Sequence, residues 1–136
     1  MDKTKLIEEL KRDEGVELRP YKCSAGFLTL GVGRNIQERG ITMDESDYLL
    51  ANDIKICEEE ASKVFKWFSS LTDDRQRAII NMVFNLGLTK LLHFKNFLAA
   101  MEAGDYETAG KEMLDSKWAR QVGNRSDRLE QMIVNG

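Results

Sequence analysis

Apolar positions recur with a helical period along most of the chain, and the first such run predicts a helix that ends at Gly15. Its apolar face is formed by Leu6, Ile7 and Leu10. Asp13 and Glu14 then fall on the last turn, where the negative end of the helix dipole disfavours carboxylates. Two interpretations remain: both side chains simply face water, or arginines from elsewhere hold them and one of them serves chemistry.

After this helix the apolar period changes towards two, which is typical of strands. Residues 18–32 therefore predict a small β-hairpin or meander, with a turn at residues 24–26. Gly31 and Gly33 flank Val32, and glycines in a strand often mark a close approach to the backbone. A tight bend with no ligand explains the pair of glycines equally well.

A polar stretch with one glycine, residues 37–41, predicts a loop. Thr42 with Glu45 three residues later forms a capping box, so a long helix is expected to begin there and to run to Phe68. Cys57 lies on the apolar stripe of that helix, and we interpret it as a small core residue.

The most apolar segment of the chain, residues 78–86, predicts a buried central helix that Gly87 ends. Asn81 and Asn85 interrupt the segment on one face. A buried amide needs hydrogen-bond partners, so these side chains are either structural or form a polar wall of a cleft.

The last third of the chain predicts further short helices. We expect a link at residues 89–93, helices over 94–103 and 106–114, and a last helix that Asn124 caps and that ends at Val134.

Arg125 and Arg128 fall in the first turn of that last helix, where the dipole disfavours cations. The two helix ends therefore carry opposite misfits, acids on one and arginines on the other. The simplest resolution is that they meet, so we predict that Arg125 and Arg128 lie close to Glu14 and Asp13.

This order of elements predicts an α+β fold that is mostly helical, with a small β-hairpin lobe joined by a long helix to a helical bundle. We expect a single domain over residues 1–136, which is long enough to bury a core without disulfides or metal. Residues 14–60 would form the small lobe and connecting helix, and residues 1–13 with 61–136 the helical lobe.

Composition excludes several classes of function. The net charge of −3 argues against a broad nucleic-acid-binding surface. Cys23 and Cys57 suggest no disulfide framework, and a single histidine makes a zinc site improbable, so we expect no metal and no other cofactor. The sequence has no signal peptide and no run of 18 apolar residues, so we expect no insertion into membranes. We also expect a monomer.

With these residues in place, the chain resembles the bacteriophage lysozyme (endolysin) family, glycoside hydrolase family 24. The family pattern is a Glu, eight residues, Asp or Cys, five residues and Thr, which Glu14, Cys23 and Thr29 match. Residues 78–87 resemble the central helix of the family, and residues 116–125 its late Lys-Trp and Asn-Arg elements. Most relatives have Asp where Cys23 stands, and many have His where Arg34 stands.

The resemblance implies a lysozyme-like fold and a muramidase that cuts the β-1,4 bond between N-acetylmuramic acid and N-acetylglucosamine in bacterial peptidoglycan. Such an enzyme lyses the host cell from the host cytoplasm, after release through a separate membrane pore. The alternative is a catalytically weak peptidoglycan-binding protein with the same fold, because the second carboxylate is missing.

The resemblance also assigns roles to residues. Glu14 is the expected general acid, and Thr29 is expected to hold a water with Cys23. A thiol matches the charge of a carboxylate only if its pKa falls well below about 8.5, so Cys23 remains a charge-stabilising thiolate, a nucleophile or a spectator. Candidate walls of the substrate cleft are Tyr21, Gly33, Arg34, Phe84 and Asn85, and Asp13, Arg125 and Arg128 are expected to support the site.

Overall fold

The computed structural model describes residues 1–136 and contains nine α-helices, a 3₁₀ turn and one three-stranded antiparallel sheet. The mostly helical α+β class is therefore confirmed. In chain order the elements are α1 (Lys3–Glu14), β1 (Glu17–Lys22), β2 (Leu28–Gly31), β3 (Arg34–Asn35), α2 (Ile36–Arg39), α3 (Met43–Val64), the 3₁₀ turn (Phe68–Ser70), α4 (Asp73–Leu86), α5 (Leu88–Leu91), α6 (Lys95–Ala103), α7 (Tyr106–Leu114), α8 (Lys117–Val122) and α9 (Asn124–Asn135).

Internal contacts divide the chain into two compact units, Met1–Tyr48 and Leu49–Gly136. The boundary falls within α3, so the first turns of this helix belong to the first unit and the rest to the second. The expected single domain, with residues 1–13 assigned to the helical lobe, stays a prediction. No helix is both long and apolar enough to cross a membrane.

The first unit carries the sheet. The predicted hairpin is confirmed: β1 pairs with β2 and β2 with β3, so that Thr29 lies opposite Tyr21 on one side and Asn35 on the other. At the β1–β2 turn the Cys23 N–H donates to the Phe27 carbonyl at 3.0 Å, and the Gly26 N–H donates to the Cys23 carbonyl at 2.8 Å. These bonds fix the backbone on which the Cys23 side chain is mounted.

The predicted loop over residues 37–41 is wrong, because α2 occupies most of it. Asn35 caps this short helix: its Oδ1 accepts the Glu38 N–H at 3.1 Å. The capping box that begins α3 is confirmed. Thr42 Oγ1 accepts the Glu45 N–H at 3.2 Å, and Glu45 Oε1 accepts the Thr42 N–H at 2.8 Å.

The second unit is organised around α4, whose inner face is closed to solvent. Ala78, Ile79 and Met82 are 0% exposed and Val83 is 2% exposed. Burying each large side chain of this set contributes about 1.5–3 kcal/mol before the cost of ordering it. Cys57 is half-buried against the same core, as its position on the apolar stripe predicts.

Two segments in the first half of the second unit differ from the prediction. Helix α3 ends at Val64 rather than Phe68; Phe65 and Phe68 remain buried, so the apolar period continues after the helical backbone has stopped. The expected link at residues 89–93 instead contains α5.

The region before the last helix also differs. Ser116 caps α8, which was not predicted, with its Oγ accepting the Ala119 N–H at 3.1 Å. Asn124 does not cap the last helix but is its first residue, and no side chain caps α9. Arg125 and Arg128 still fall in its first turns, as predicted.

Two contacts hold α9 in place. The Arg75 side chain reaches from α4 to the end of α9, where its Nε donates to the Ile133 carbonyl at 2.8 Å and its guanidinium lies 3.5 Å from the centre of the Tyr106 ring. At the α7–α9 crossing, a Cβ on Gly110 would stand 2.7 Å from Val134 Cγ2, so this position admits no larger residue without a shift. The helix that carries Arg125 and Arg128 is thus fixed at its far end.

Candidate active site

Glu14, the expected general acid, is the last residue of α1 and its side chain lies against the turn between β2 and β3. A Cβ on Gly33 would stand 2.9 Å from Glu14 Oε2 and 3.2 Å from its Cδ. Gly33 also has a φ of +62°, a conformation that residues with a side chain rarely adopt. The close approach that the paired glycines suggested is therefore made by the carboxylate of Glu14.

Cys23 lies at the β1–β2 turn, half-buried, with hydrogen-bond donors around its sulfur. The backbone N–H groups of Phe27 and then Ala25 lower the pKa of the Cys23 thiol from its ordinary value, and burial opposes them. The N–H of Gly26 adds to the lowering of this pKa, and the Thr29 hydroxyl adds to it only when its proton is turned to the sulfur. The turn therefore lowers the pKa of this thiol without the help of any basic side chain.

Thr29 is 3% exposed and is the only buried residue of the first unit. Its Oγ1 donates to the Phe27 carbonyl at 2.9 Å. A hydroxyl has a single proton, so Thr29 donates either to this carbonyl or to a thiolate on Cys23. In the arrangement present, the proton serves the carbonyl and the lone pairs of the oxygen can accept a hydrogen bond.

Arg34 does not point a free guanidinium at a ligand. Its Nη1 lies 2.7 Å from both carboxylate oxygens of Glu45 and 3.3 Å from the Gly40 carbonyl. The backbone N–H of Thr42, followed by the Arg34 side chain, lowers the pKa of Glu45 to about 2. The sequence predicted the capping box, but it did not predict the ion pair of Glu45 with Arg34.

In the second unit, the outer face of α4 carries the predicted wall residues. Phe84, in the last turn of α4, is 46% exposed, an unusual state for a large aromatic side chain on a core helix. One turn earlier, Asn81 Oδ1 accepts the Arg125 Nε–H at 2.9 Å. This bond ties the start of α9 to α4 and gives Arg125 a partner within its own unit.

Asn85 has a structural partner. Its Oδ1 accepts the indole N–H of Trp118 at 2.7 Å. Trp118 is 4% exposed, and its ring packs edge-on against Phe94 with 6.2 Å between centroids. Of the two interpretations of the α4 amides, the structural one therefore has direct support, and a substrate contact by Asn85 stays a prediction.

The predicted meeting of acids and arginines joins the two units and stays a prediction. Within the first unit, Asp13 Oδ1 lies 3.3 Å from Arg12 Nε in an exposed pair. Within the second unit, Arg128 makes no ion pair. No group of three or more His, Cys, Asp or Glu side chains is arranged to hold a metal ion.

Comparison with known proteins identifies the family. The phage lysozyme family model matches residues 11–132. The chain is 32% identical to Probable T4-type lysozyme 1 of Dictyostelium discoideum, over 93% of this chain and 92% of that protein. It is 30% identical to the Endolysin of Salmonella phage P22, over 71% of this chain and 76% of that protein. It is also 30% identical to the Pre-baseplate central spike protein Gp5 of Enterobacteria phage T4, over 96% of this chain but only 28% of that protein.

The fold, the Glu14–Cys23–Thr29 spacing and these matches define a lysozyme-type glycoside hydrolase. The chain belongs to the phage lysozyme family. Family membership implies peptidoglycan as the substrate.

The two cysteines are expected to differ in reactivity. The backbone donors lower the pKa of Cys23, whereas burial, and then the charges of Glu60 and Asp53, raise the pKa of Cys57. Iodoacetamide should therefore alkylate Cys23 first at neutral pH, because the thiolate is the reacting form. Peptide mass spectrometry across a pH series measures both rates, with Cys23→Ser and Cys57→Ser as assignment controls. A midpoint for Cys23 at or above that of Cys57 would contradict the thiolate-favouring turn.

Proposed function

We propose that the protein hydrolyses the β-1,4 glycosidic bond between N-acetylmuramic acid and N-acetylglucosamine in bacterial peptidoglycan, with Glu14 as the general acid. The observation that carries the proposal is the placement of the Glu14 carboxylate against the Gly33 turn, in a chain whose Glu14, Cys23 and Thr29 match the catalytic spacing of the family. A carboxyl fixed against the backbone suits proton delivery to one glycosidic oxygen.

The reaction needs a proton on the leaving oxygen and stabilisation of an oxocarbenium-like transition state. In the proposed mechanism Glu14 supplies the proton to the glycosidic oxygen as the bond from this oxygen to the anomeric carbon breaks. A water on the opposite face of the sugar attacks the anomeric carbon and releases its extra proton to the solvent. Thr29 accepts a hydrogen bond from this water or donates one to it. The Cys23 thiolate stabilises the positive charge on the sugar ring. A nucleophilic Cys23 with a covalent intermediate is the alternative chemistry at the same position.

The donors around Cys23 support this role for the thiolate. Negative charge at this position would otherwise require a carboxylate, and the backbone N–H groups of Phe27 and Ala25 compensate by lowering the pKa of the thiol. When Thr29 rotates its hydroxyl away from the Phe27 carbonyl, it can add a further hydrogen bond to the sulfur or to the attacking water.

For the substrate wall we propose Tyr21, Gly33, Phe84 and Asn85. Exposed aromatic rings such as Phe84 offer flat apolar surface to sugar rings, and Tyr21 lies beside Thr29 in the sheet. Asn85 would contact substrate through its amide nitrogen, since its oxygen already accepts the Trp118 N–H. The bonds that Arg34 makes to Glu45 and Gly40 argue for a different task for that residue.

As a biological role we propose lysis of a bacterial host by a monomer acting on the cell wall, after release from the host cytoplasm through a separate membrane pore. Two of the relatives carry the name Endolysin, which supports this role. The competing function is peptidoglycan binding with little catalysis, which the replacement of the usual second carboxylate by Cys23 favours.

We further propose that residues 1–13 belong with residues 61–136 in a helical lobe, and that Arg125 and Arg128 pair with Glu14 and Asp13. One support lies in the first unit, where α1 has no buried residue and Ile7 and Leu10 are 52% and 43% exposed. Another lies in the second unit, which contains an apolar cleft of about 560 Å³ lined partly by α3 and α4.

Removal of the acid tests the main proposal. Glu14→Gln keeps the size of the side chain but cannot deliver a proton, so release of reducing ends from purified peptidoglycan should fall at least about a hundredfold, the scale of general acid catalysis. Glu17→Gln, an exposed acid on β1, is the matched control and should keep wild-type activity. If Glu14→Gln and wild type release reducing ends equally, the proposed mechanism is wrong. If both release a negligible amount, the alternative of a peptidoglycan-binding protein is favoured.

Substitution at Cys23 tests its chemical role. Cys23→Asp restores a carboxylate and should retain or raise the activity, whereas Cys23→Ser removes the negative charge and should lower the rate about tenfold or more, given the usual contribution of one electrostatic group. Both are measured in the reducing-end assay. Unchanged rates in both variants would make Cys23 a spectator.

A stability measurement tests the pairing of the arginines. Asp13 is exposed within its own unit, so Arg128→Ala should lower the free energy of unfolding by more than about 1 kcal/mol only if the proposed pairing withdraws both charges from water. Arg120→Ala, an exposed arginine of the same unit, is the control and should change the value by less than about 0.5 kcal/mol. Denaturant titration gives the free energy of unfolding of both variants. Equal small losses in the two variants would contradict the pairing of Arg128 with Asp13.

A further inference from the structure

The Arg34–Glu45 pair lies next to the turn whose Gly33 contacts the carboxylate of Glu14. Gly33, whose backbone lies against the Glu14 carboxylate, is followed directly by Arg34 at the start of β3. The register Leu30↔Arg34 closes a turn of residues 31–33, so whatever holds Arg34 also holds one end of this turn.

Three separate segments are joined at the Arg34 guanidinium. Nη1 binds Glu45 at the start of α3 and the Gly40 carbonyl after α2, while its own backbone is paired in the sheet. Glu45 is itself fixed, because its Oε1 also accepts the Thr42 N–H at 2.8 Å. The side chains of Arg34 and Glu45 are only 26% and 38% exposed, so water competes for this pair less than for an ordinary surface pair.

Between the paired ends of β2 and β3, the turn itself has a flexible backbone. Gly31 and Gly33 have φ values of +70° and +62°, and Val32 between them is exposed. Glycines permit this backbone shape but also lower its stiffness, because they have the most conformational freedom of any residue. The Arg34–Glu45 cross-link at the adjacent residue therefore adds a side-chain restraint to the backbone pairing of β2 with β3.

We propose that Arg34 and Glu45 are positioning residues for catalysis: through the Gly31–Val32–Gly33 turn they hold the Glu14 carboxylate where it can protonate the glycosidic oxygen. This inference rests on the proposed function, in which Glu14 is the general acid. It reassigns Arg34 from substrate contact to support, and it gives Glu45 a task beyond capping α3. Displacement of an acid by about 1 Å can cost up to a hundredfold in rate, so a loosened turn should be visible in kcat.

The two partners can be removed with little other disturbance. Arg34→Gln shortens the side chain and removes the charge. Glu45→Gln keeps Oε1, which accepts from both the Thr42 N–H and Arg34, but it removes the carboxylate charge and replaces the second oxygen by an N–H₂ group, which cannot accept from Arg34. Arg34→Lys restores a cation facing Glu45. Arg39→Gln, an exposed arginine on α2 that makes no ion pair, is the matched control.

The experiment measures kcat and KM for these variants and the Arg34→Gln/Glu45→Gln double variant on soluble, uncross-linked peptidoglycan strands, at a temperature where circular dichroism shows each variant folded. We expect each single variant to lose about tenfold in kcat with KM unchanged within about twofold. The double variant should lose no more than either single variant, Arg34→Lys should recover most of the rate, and Arg39→Gln should match wild type.

Three results would overturn the inference. A raised KM in Arg34→Gln with a normal Glu45→Gln would show direct substrate contact by Arg34. Losses that multiply in the double variant would show two independent roles. Full activity in both single variants would remove the positioning role, and this outcome is distinguishable from failure of the proposed function, because Glu14→Gln would still be inactive.

Discussion

The first unit has almost no hydrophobic interior, and this constraint governs how its candidate active site is built. Among residues 1–48 only Thr29 is buried, and its hydroxyl bonds to the backbone rather than to a ligand group. A unit that cannot rely on packing must fix its side chains by hydrogen bonds, caps and glycine turns. The Gly33 turn, the donors around Cys23 and the Arg34–Glu45 pair are all devices of this kind.

The second unit solves the opposite problem. It has an ample core, so α4 can bury one face completely and leave the other for polar and aromatic side chains. Asn81 and Asn85, which look out of place in an apolar segment, are used to tie α9 and Trp118 to that helix. Phe84 is left exposed at little cost, because the buried face already supplies the stability of the helix. Helix α4 thus has one buried face and one exposed face with polar and aromatic side chains.

Local signals made much of the fold predictable from sequence. The capping box at Thr42 and the apolar run of α4 each depend on neighbours within a few residues. Short helices such as α2 and α8 were missed, because one cap and a few bonds decide them and tertiary contacts stabilise them. The spacing of Glu14, Cys23 and Thr29 identified the candidate site. The contact of Gly33 with Glu14 and the bond from Arg34 to Glu45 depend on chain geometry that no motif encodes.

The Arg34–Glu45 pair also has an evolutionary consequence. Each side chain satisfies the other, so a change at one position alters what is tolerated at the other. A histidine at the first position would remove a permanent cation, and an acid at the second would then keep only its bond from the Thr42 N–H. On the proposed positioning role, we therefore expect the two residues to be inherited together.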